Sequence, residues 1–262
     1  MRQLEGTTAL VTGASSGLGP VIARRLHREG VRTVLSARRR PELEALAREL
    51  VGSRVVTADL AQRGEPERLA AEAGEVDVLV ANAGVPASGR LATFDVAELD
   101  RALDVNVRAP MVLARLLLTG MIERRRGHIV LMASMAGQVA TAKLSVYSAT
   151  KAALRSFGHA LHDELRGAGV GVTVVSPFYV SQAGVWAETG QRMPLGEVNP
   201  GQVAEAVVRG IRRNLAEITV APLPVRAAAR LPMAFPQLLH APFVASVGGM
   251  PDEAIESQLR KR

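Results

Sequence analysis

Tyr147 and Lys151 stand four residues apart in the run Tyr147-Ser148-Ala149-Thr150-Lys151. In a helix that spacing puts both side chains on one face. An isolated phenol titrates near pH 10, too high for an efficient acid–base group at neutral pH. A neighbouring ammonium favours the phenolate and draws that value down, each pKa unit corresponding to about 1.4 kcal/mol. A matched pKa is what proton transfer to a reacting oxygen needs. Ser134 lies thirteen positions earlier, directly after the apolar run His128–Ala133, where its hydroxyl could hold an oxygen while Tyr147 exchanges the proton. Tyr-x3-Lys pairs also arise by chance on helix surfaces. This chain has only two tyrosines and three lysines, and one of each falls at this spacing after a serine-ended strand, so coincidence is the poorer explanation.

A second candidate lies near the N-terminus. The run Thr12-Gly13-Ala14-Ser15-Ser16-Gly17-Leu18-Gly19 separates the short apolar segment Thr8–Thr12 from a segment with helical spacing, Pro20–Glu29. Glycines permit positive φ and close approach of backbone to ligand, and a helix N-terminus presents free N–H groups to a pyrophosphate. The spacing is G-x3-G-x-G rather than G-x-G-x-x-G, and alone it also fits an ordinary turn. The next strand-like run, Arg32–Ala37, ends in Arg38-Arg39-Arg40, with no acid before Glu42. At that place an acid would bind the 2′-hydroxyl of NAD, whereas arginines suit the 2′-phosphate of NADP; the alternative is a solvated charge run. Asp59 follows a third strand-like run, Arg54–Thr57, and could accept from an adenine amino group or cap a helix. Asn82-Ala83-Gly84 follows a fourth, Asp77–Ala81; Asn82 could tie neighbouring strands, and Gly84 lets a ligand pass close.

The elements that must position these groups alternate. Helical spacing is expected at Pro41–Leu50, Val96–Arg125 (with Pro110 a bend), Ser145–Arg166 and Val203–Asn214, and strands at Val170–Val175, closed by Pro177, and at Glu217–Ala221. The strands are near-continuous apolar runs, as burial on both faces requires. Alternating strands and helices predict an α/β, single-domain Rossmann fold: a doubly wound parallel sheet of about seven strands with helices on both faces.

Taken together, the Thr12–Gly19 turn, Asp59, Asn82-Ala83-Gly84, Asn106 in Asp104-Val105-Asn106-Val107, Ser134, Tyr147 and Lys151 resemble, in order and spacing, the classical short-chain dehydrogenase/reductase family over roughly residues 5–220. The resemblance implies an NADP(H)-dependent oxidoreductase with the tetrad Asn106, Ser134, Tyr147 and Lys151. Tyr147 would be the acid–base, Ser134 would orient the carbonyl, and Lys151 would lower the tyrosine pKa and bond the nicotinamide ribose. Asn106 would support a water leading from Lys151 to solvent. The implied cofactor contacts are Gly13, Ser15, Ser16, Gly17, Leu18, Gly19, Arg38, Arg39, Asp59, Leu60, Asn82, Ala83, Gly84, Tyr147, Lys151, Pro177 and Val180. No metal is implied. The alternative is an NADP-binding sensor or scaffold without turnover, but such proteins usually lose the tyrosine or lysine.

Two departures stand out. The family commonly has Pro-Gly after the sixth strand, where this chain has Pro177-Phe178. Ser181 stands about where a threonine often contacts the carboxamide. The segment Phe178–Pro200 would close over the substrate, and Phe178 and Trp186 within it, with Ser134 and Tyr147, predict a hydrophobic ketone, aldehyde or alcohol. Residues 1–222 form the expected catalytic domain. Residues 223–262 form an apolar, proline-containing extension that packs on the domain or a partner subunit, or else lies on a membrane surface.

Composition narrows the remaining options. Hydrophobic residues make up 48% of 262, and no cysteine is present, which excludes disulfides and thiolate metal sites. The net charge is +7, but aromatics are only 3%, so stacking platforms for nucleic acid are scarce; steering of an anionic cofactor is use enough for the charge. No signal peptide or spanning run is apparent, and a cytoplasmic, at most membrane-associated, protein is expected. The family resemblance further implies a homodimer or homotetramer, paired across two-fold axes through the helices at Val96–Arg125 and Ser145–Arg166.

Overall fold

The computed structural model describes residues 3–181 and 196–229, with Leu238, Ala241 and Pro242 beyond them. Seven parallel strands form one sheet: β1 (Thr8–Thr12), β2 (Arg32–Ala37), β3 (Arg54–Thr57), β4 (Val78–Ala81), β5 (Gly127–Met132), β6 (Val170–Pro177) and β7 (Glu217–Val220), in the order β3-β2-β1-β4-β5-β6-β7. The order reverses between β1 and β4. In open sheets of this kind the crevice at such a reversal, beyond the strand C-termini, is where ligands bind.

Successive residues of β1 serve opposite layers. Ala9 and Val11 pack with α1 (Leu18–His27), α2 (Arg40–Glu49) and α7 (Pro200–Arg213), through residues such as Ile22, Leu43 and Val207. Leu10 packs with α3 (Glu65–Ala73), α5 (Ala109–Glu123) and α6 (Ser145–Glu164), through Leu69, Leu113 and Leu154. Both faces are dry, which is why the strands read as unbroken apolar runs. Each fully buried Leu or Ile contributes about 1.5–3 kcal/mol to this core.

Strands and most helices fall within a few residues of expectation. Helix α3 was not foreseen. Its run Glu-Pro-Glu-Arg-Leu-Ala-Ala-Glu-Ala sets Pro66, Leu69, Ala70 and Ala73 at the i, i+3, i+4, i+7 spacing of a buried stripe between Gly64 and Gly74, but Leu69 is the one large apolar side chain in it.

The rod expected over Val96–Arg125 also differs. It comprises α4 (Val96–Leu103), a π-helical turn over Asp104–Arg108, and α5. Asp95 opens it with a capping box, accepting from Glu98 N while the Glu98 carboxylate accepts from Asp95 N. The irregularity lies on the residues before Pro110, where Ala109 N–H reaches back five residues to the Asp104 carbonyl. Pro110 has no N–H, so the ladder cannot close normally behind it. By length and composition, Val96–Glu123 could cross a membrane, but here Leu113, Ala114, Leu117 and Met121 are core residues of the domain.

After β7 the chain enters a short helix, α8 (Leu223–Ala228). Val225 and Ala229 are buried there against Met135, Val139, Phe178 and Ala221.

Candidate active site

A cleft of about 1040 Å³ runs along the C-terminal end of the sheet. Gly13, Ser15, Ser16, Gly17 and Leu18 line one end with Arg38, Arg39, Asp59 and Leu60. Asn82, Ala83 and Gly84 line the middle, and Ser134, Tyr147, Lys151, Pro177, Phe178 and Val180 lie beyond them. The structure thus gathers almost every site residue read from the sequence. Gly19 and Asn106 stand just behind the wall, and Trp186 lies outside the described residues.

The glycine turn is shaped by its own packing. Gly13 has φ +67°, and a Cβ there would sit 2.9 Å from both Ala83 Cα and Asn82 Nδ2; a Cβ on Gly19 would fall 2.1 Å from the Gly13 carbonyl oxygen. Glycine is therefore needed to seat α1 and β4 against the turn. Gly17 precedes α1 with φ 60°, no side chain caps the helix, and its first turn carries no acid. The helix end offers N–H groups and a positive dipole to an anion.

Asn82 has the tying role expected of it. Its N–H donates to Thr12 Oγ1 and its Nδ2 to the Thr12 carbonyl, both at 3.0 Å, and Ala83 N–H adds a third bond to Thr12 Oγ1. Asp59 instead stabilises its own turn, accepting from Ala61 N–H at 3.2 Å while its backbone N–H donates to Glu65. Arg39 donates to the Ser15 carbonyl and hydroxyl and pairs with Glu42. Arg38 is exposed on the cleft and has no hydrogen-bond or ion-pair partner among the described residues.

Around the reacting groups, α6 supplies Tyr147 and Lys151, and the turn after β5 supplies Ser134. The Ser134 hydroxyl hydrogen-bonds the Tyr147 phenol and caps a 3-10 turn over Met135–Gly137 by accepting from Ala136 N–H at 3.2 Å. Asn106 is fully buried on the π turn. Its Oδ1 accepts from Val85 N–H at 2.8 Å, and its Nδ2 donates to the Val85 carbonyl at 3.0 Å and to Thr150 Oγ1 at 3.2 Å. Thr150 in turn donates to the Tyr147 carbonyl. Asn106 therefore anchors the first turn of α6 to the strand-end loop that carries Gly84.

The protonation states depart from expectation. Lys151 was expected to lower the phenol pKa. Burial instead raises Tyr147 above the ordinary value, and the Ser134 hydrogen bond opposes this without reversing it. Burial also draws Lys151 down to about 8. Its Nζ donates to the Met132 carbonyl at 2.8 Å and stands 5.7 Å from the Tyr147 ring centroid. Desolvation is the larger cause for Tyr147 and the cause for Lys151, in each case disfavouring the charged form. A phenol kept protonated at neutral pH is in the state needed to donate a proton to a carbonyl oxygen.

The Ser181 hydroxyl donates to the Val198 carbonyl at 3.3 Å beside the Val180–Val198 bridge. Three contributors escaped the sequence reading. Gly137 lets the Ser134 turn lie against the α6 backbone. Thr141 lines the cleft with a buried hydroxyl oxygen that has no hydrogen-bond partner among the described residues. Glu217 gathers donors from several elements. None carries a local sequence signal.

The family model for short chain dehydrogenase matches residues 7–193. The chain is 38% identical over 235 residues to "Ketoacyl reductase HetN" of Nostoc sp., covering 86% of this chain and 82% of that protein. Among solved structures, a "short chain dehydrogenase/reductase family protein" superposes with a TM-score of 0.78 at 35% identity, covering 83% of this chain and 97% of the other. A variant of actinorhodin polyketide ketoreductase with NADPH gives 0.76 at 31%, covering 85% and 98%. With this fold and this cleft, the chain belongs to the short-chain dehydrogenase/reductase family of oxidoreductases.

Proposed function

We propose that the enzyme interconverts a ketone or aldehyde and its alcohol with NADP(H), using Asn106, Ser134, Tyr147 and Lys151. The observation that carries this reading is the half-buried Tyr147 on the cleft, its phenol hydrogen-bonded to Ser134, with Lys151 on the same helix and Asn106 behind it. Ser134 orients the substrate oxygen, and Tyr147 gives it a proton in reduction or takes one in oxidation. Lys151 and Asn106 keep the helix turn in register and place a cation beside the phenol. A bound nicotinamide supplies or accepts the hydride.

The chain fits such a cofactor. The uncapped N-terminus of α1 suits a pyrophosphate, Asp59 and Leu60 line the cleft where an adenine would lie, and Arg38 and Arg39 suit a 2′-phosphate. The NADPH held by the polyketide ketoreductase and the name of the Nostoc relative favour the same reading. Val139, Leu144, Met135 and Phe178 make the substrate end apolar, which favours a hydrophobic substrate. Exposed Leu103, Leu116 and Ile122 on the α4–α5 rod favour a homodimer or homotetramer, and a monomer in sedimentation at micromolar concentration would overturn that.

The test is anaerobic incubation with NADPH against a panel of ketones and aldehydes. Turnover is expected on apolar members, with a loss of about 10²–10⁴-fold in Tyr147→Phe. Cofactor binding with no turnover on any substrate would support the sensor alternative instead.

A further inference from the structure

Tyr147 and Lys151 begin a longer series. Arg155 and His159 continue it at the same spacing of four, so the four side chains form one gently winding stripe along α6. The first two line the cleft. The last two converge on one carboxylate, that of Glu217 at the start of edge strand β7. Arg155 donates to both its oxygens, Nε to Oε1 and Nη2 to Oε2, each at 2.8 Å. His159 Nε2 lies 3.1 Å from Oε2.

Glu217 also holds two other parts of the site. Gln138, the residue after the 3-10 turn that Ser134 caps, donates through Nε2 to Oε1 at 2.8 Å and to Thr219 Oγ1 at 3.0 Å. Ser176, next to the cleft residue Pro177, donates to Oε1 at 3.0 Å. One carboxylate thus joins the helix bearing the phenol, the turn bearing the serine and the strand end bearing Pro177. Burial would raise its pKa, but the hydrogen bonds and charge of Arg155, helped by Gln138 and Ser176, outweigh this and hold it ionised.

The geometry points to Glu217 as a positioning residue for the reaction: it sets the rotation of α6 relative to the Ser134 turn, and so the alignment of the Tyr147 and Ser134 hydroxyls. The clamp acts two to three helical turns from the phenol, on the same stripe. A rotation of about 10° moves an atom at the rim of a helix 10–12 Å across by about 1 Å. A displacement of that size can cost about 10²-fold in rate. Gly158 lets α6 lie directly on Val174 and Leu131, so the helix has a close seat on the sheet beside this clamp.

This inference rests on the reading of Tyr147 and Ser134 proposed above. The test compares wild type, Glu217→Gln, Gln138→Ala and Tyr147→Phe, with kcat, KM, NADPH affinity and the isotope effect for NADPH deuterated at the transferred position. Glu217→Gln is expected to lower kcat about 10- to 100-fold, to raise the isotope effect, and to leave the NADPH Kd within about twofold. Gln138→Ala, which removes one bond and leaves the Arg155 pair, should shift kcat and isotope effect in the same direction by about threefold or more.

Unchanged kcat in both variants overturns the inference while the wild-type activity and the Tyr147→Phe loss leave the underlying reading intact. So does a fall in kcat that merely follows the folded fraction, with the isotope effect unmoved. If Glu217→Gln does not fold, Gln138→Ala alone decides. A wild type without carbonyl turnover removes both readings.

Discussion

The backbone of Lys151 occupies the space a side chain on Gly137 would need: a Cβ there would lie 2.6 Å from the Lys151 carbonyl carbon and 2.8 Å from Ala152 N. These are main-chain atoms in mid-helix and cannot move aside cheaply. Gly137→Ala is therefore expected to push the Ser134 turn off α6, lowering kcat at least about tenfold through misalignment and stability by about 1–3 kcal/mol through overpacking. Steady-state kinetics beside urea denaturation checks both, and the NADPH Kd should stay within about twofold, since the glycine turn is untouched.

Cofactor choice should reside at the end of β2. Removing Arg38 and Arg39 together by alanine substitution takes away up to two charge-assisted contacts, each worth roughly 1.5–3 kcal/mol. The KM for NADPH is expected to rise at least about tenfold while that for NADH is unchanged. Equal effects on both dinucleotides would show that these arginines do not read the 2′-phosphate.

Lys151 makes folding stability depend on pH. Its folded pKa of about 8 lies below the ordinary value of 10.5, so between those values the unfolded chain binds the extra proton. Stability from this group therefore rises as pH increases through that window, and the full cost of burying the ammonium is felt below it. The two values give wild type a gain of about 2 kcal/mol over Lys151→Met between about pH 7 and pH 9.5. Urea unfolding of both proteins at the two pH values measures it.

Asn106 uses its amide in both senses, accepting from Val85 N–H and donating to the Val85 carbonyl and Thr150. Asn106→Asp keeps the acceptor, loses the donor and buries a charge facing two oxygens. A loss of about 2–4 kcal/mol is expected near neutral pH. Lowering the pH should recover part of it, because burial raises the new carboxyl's pKa and protonation restores a donor.

Much of this architecture was readable before folding. The parallel sheet followed from unbroken apolar runs such as Ile129–Met132, and the cleft from glycines and polar residues placed after them. Tyr147 and Lys151 announced themselves through rarity and spacing. Glu217 did not, because its partners Gln138, Arg155 and Ser176 lie 41 to 79 residues away in sequence and nothing local marks a carboxylate that will be buried. Gly137 was equally silent, since its constraint is the nearness of another chain segment. The direction of the Tyr147 pKa was misread for a related reason: spacing reveals a charge neighbour, whereas desolvation depends on everything packed around the group.

The π turn over Asp104–Arg108 has a consequence for chain length. A ladder that reaches back five residues accommodates one more residue than a regular helix does, and each residue of an α-helix advances the azimuth by about 100°. Excising a single residue there would therefore leave a smooth α-helical rod with α4 and α5 still in phase, whereas the same excision inside α5 would turn everything beyond it by about 100°. In the second case Leu117 and Met121 would leave the sheet, whereas in the first only the turn that presents Asn106 to Val85 is altered. The fold of this rod should therefore tolerate a one-residue deletion within Asp104–Arg108 far better than one inside α5.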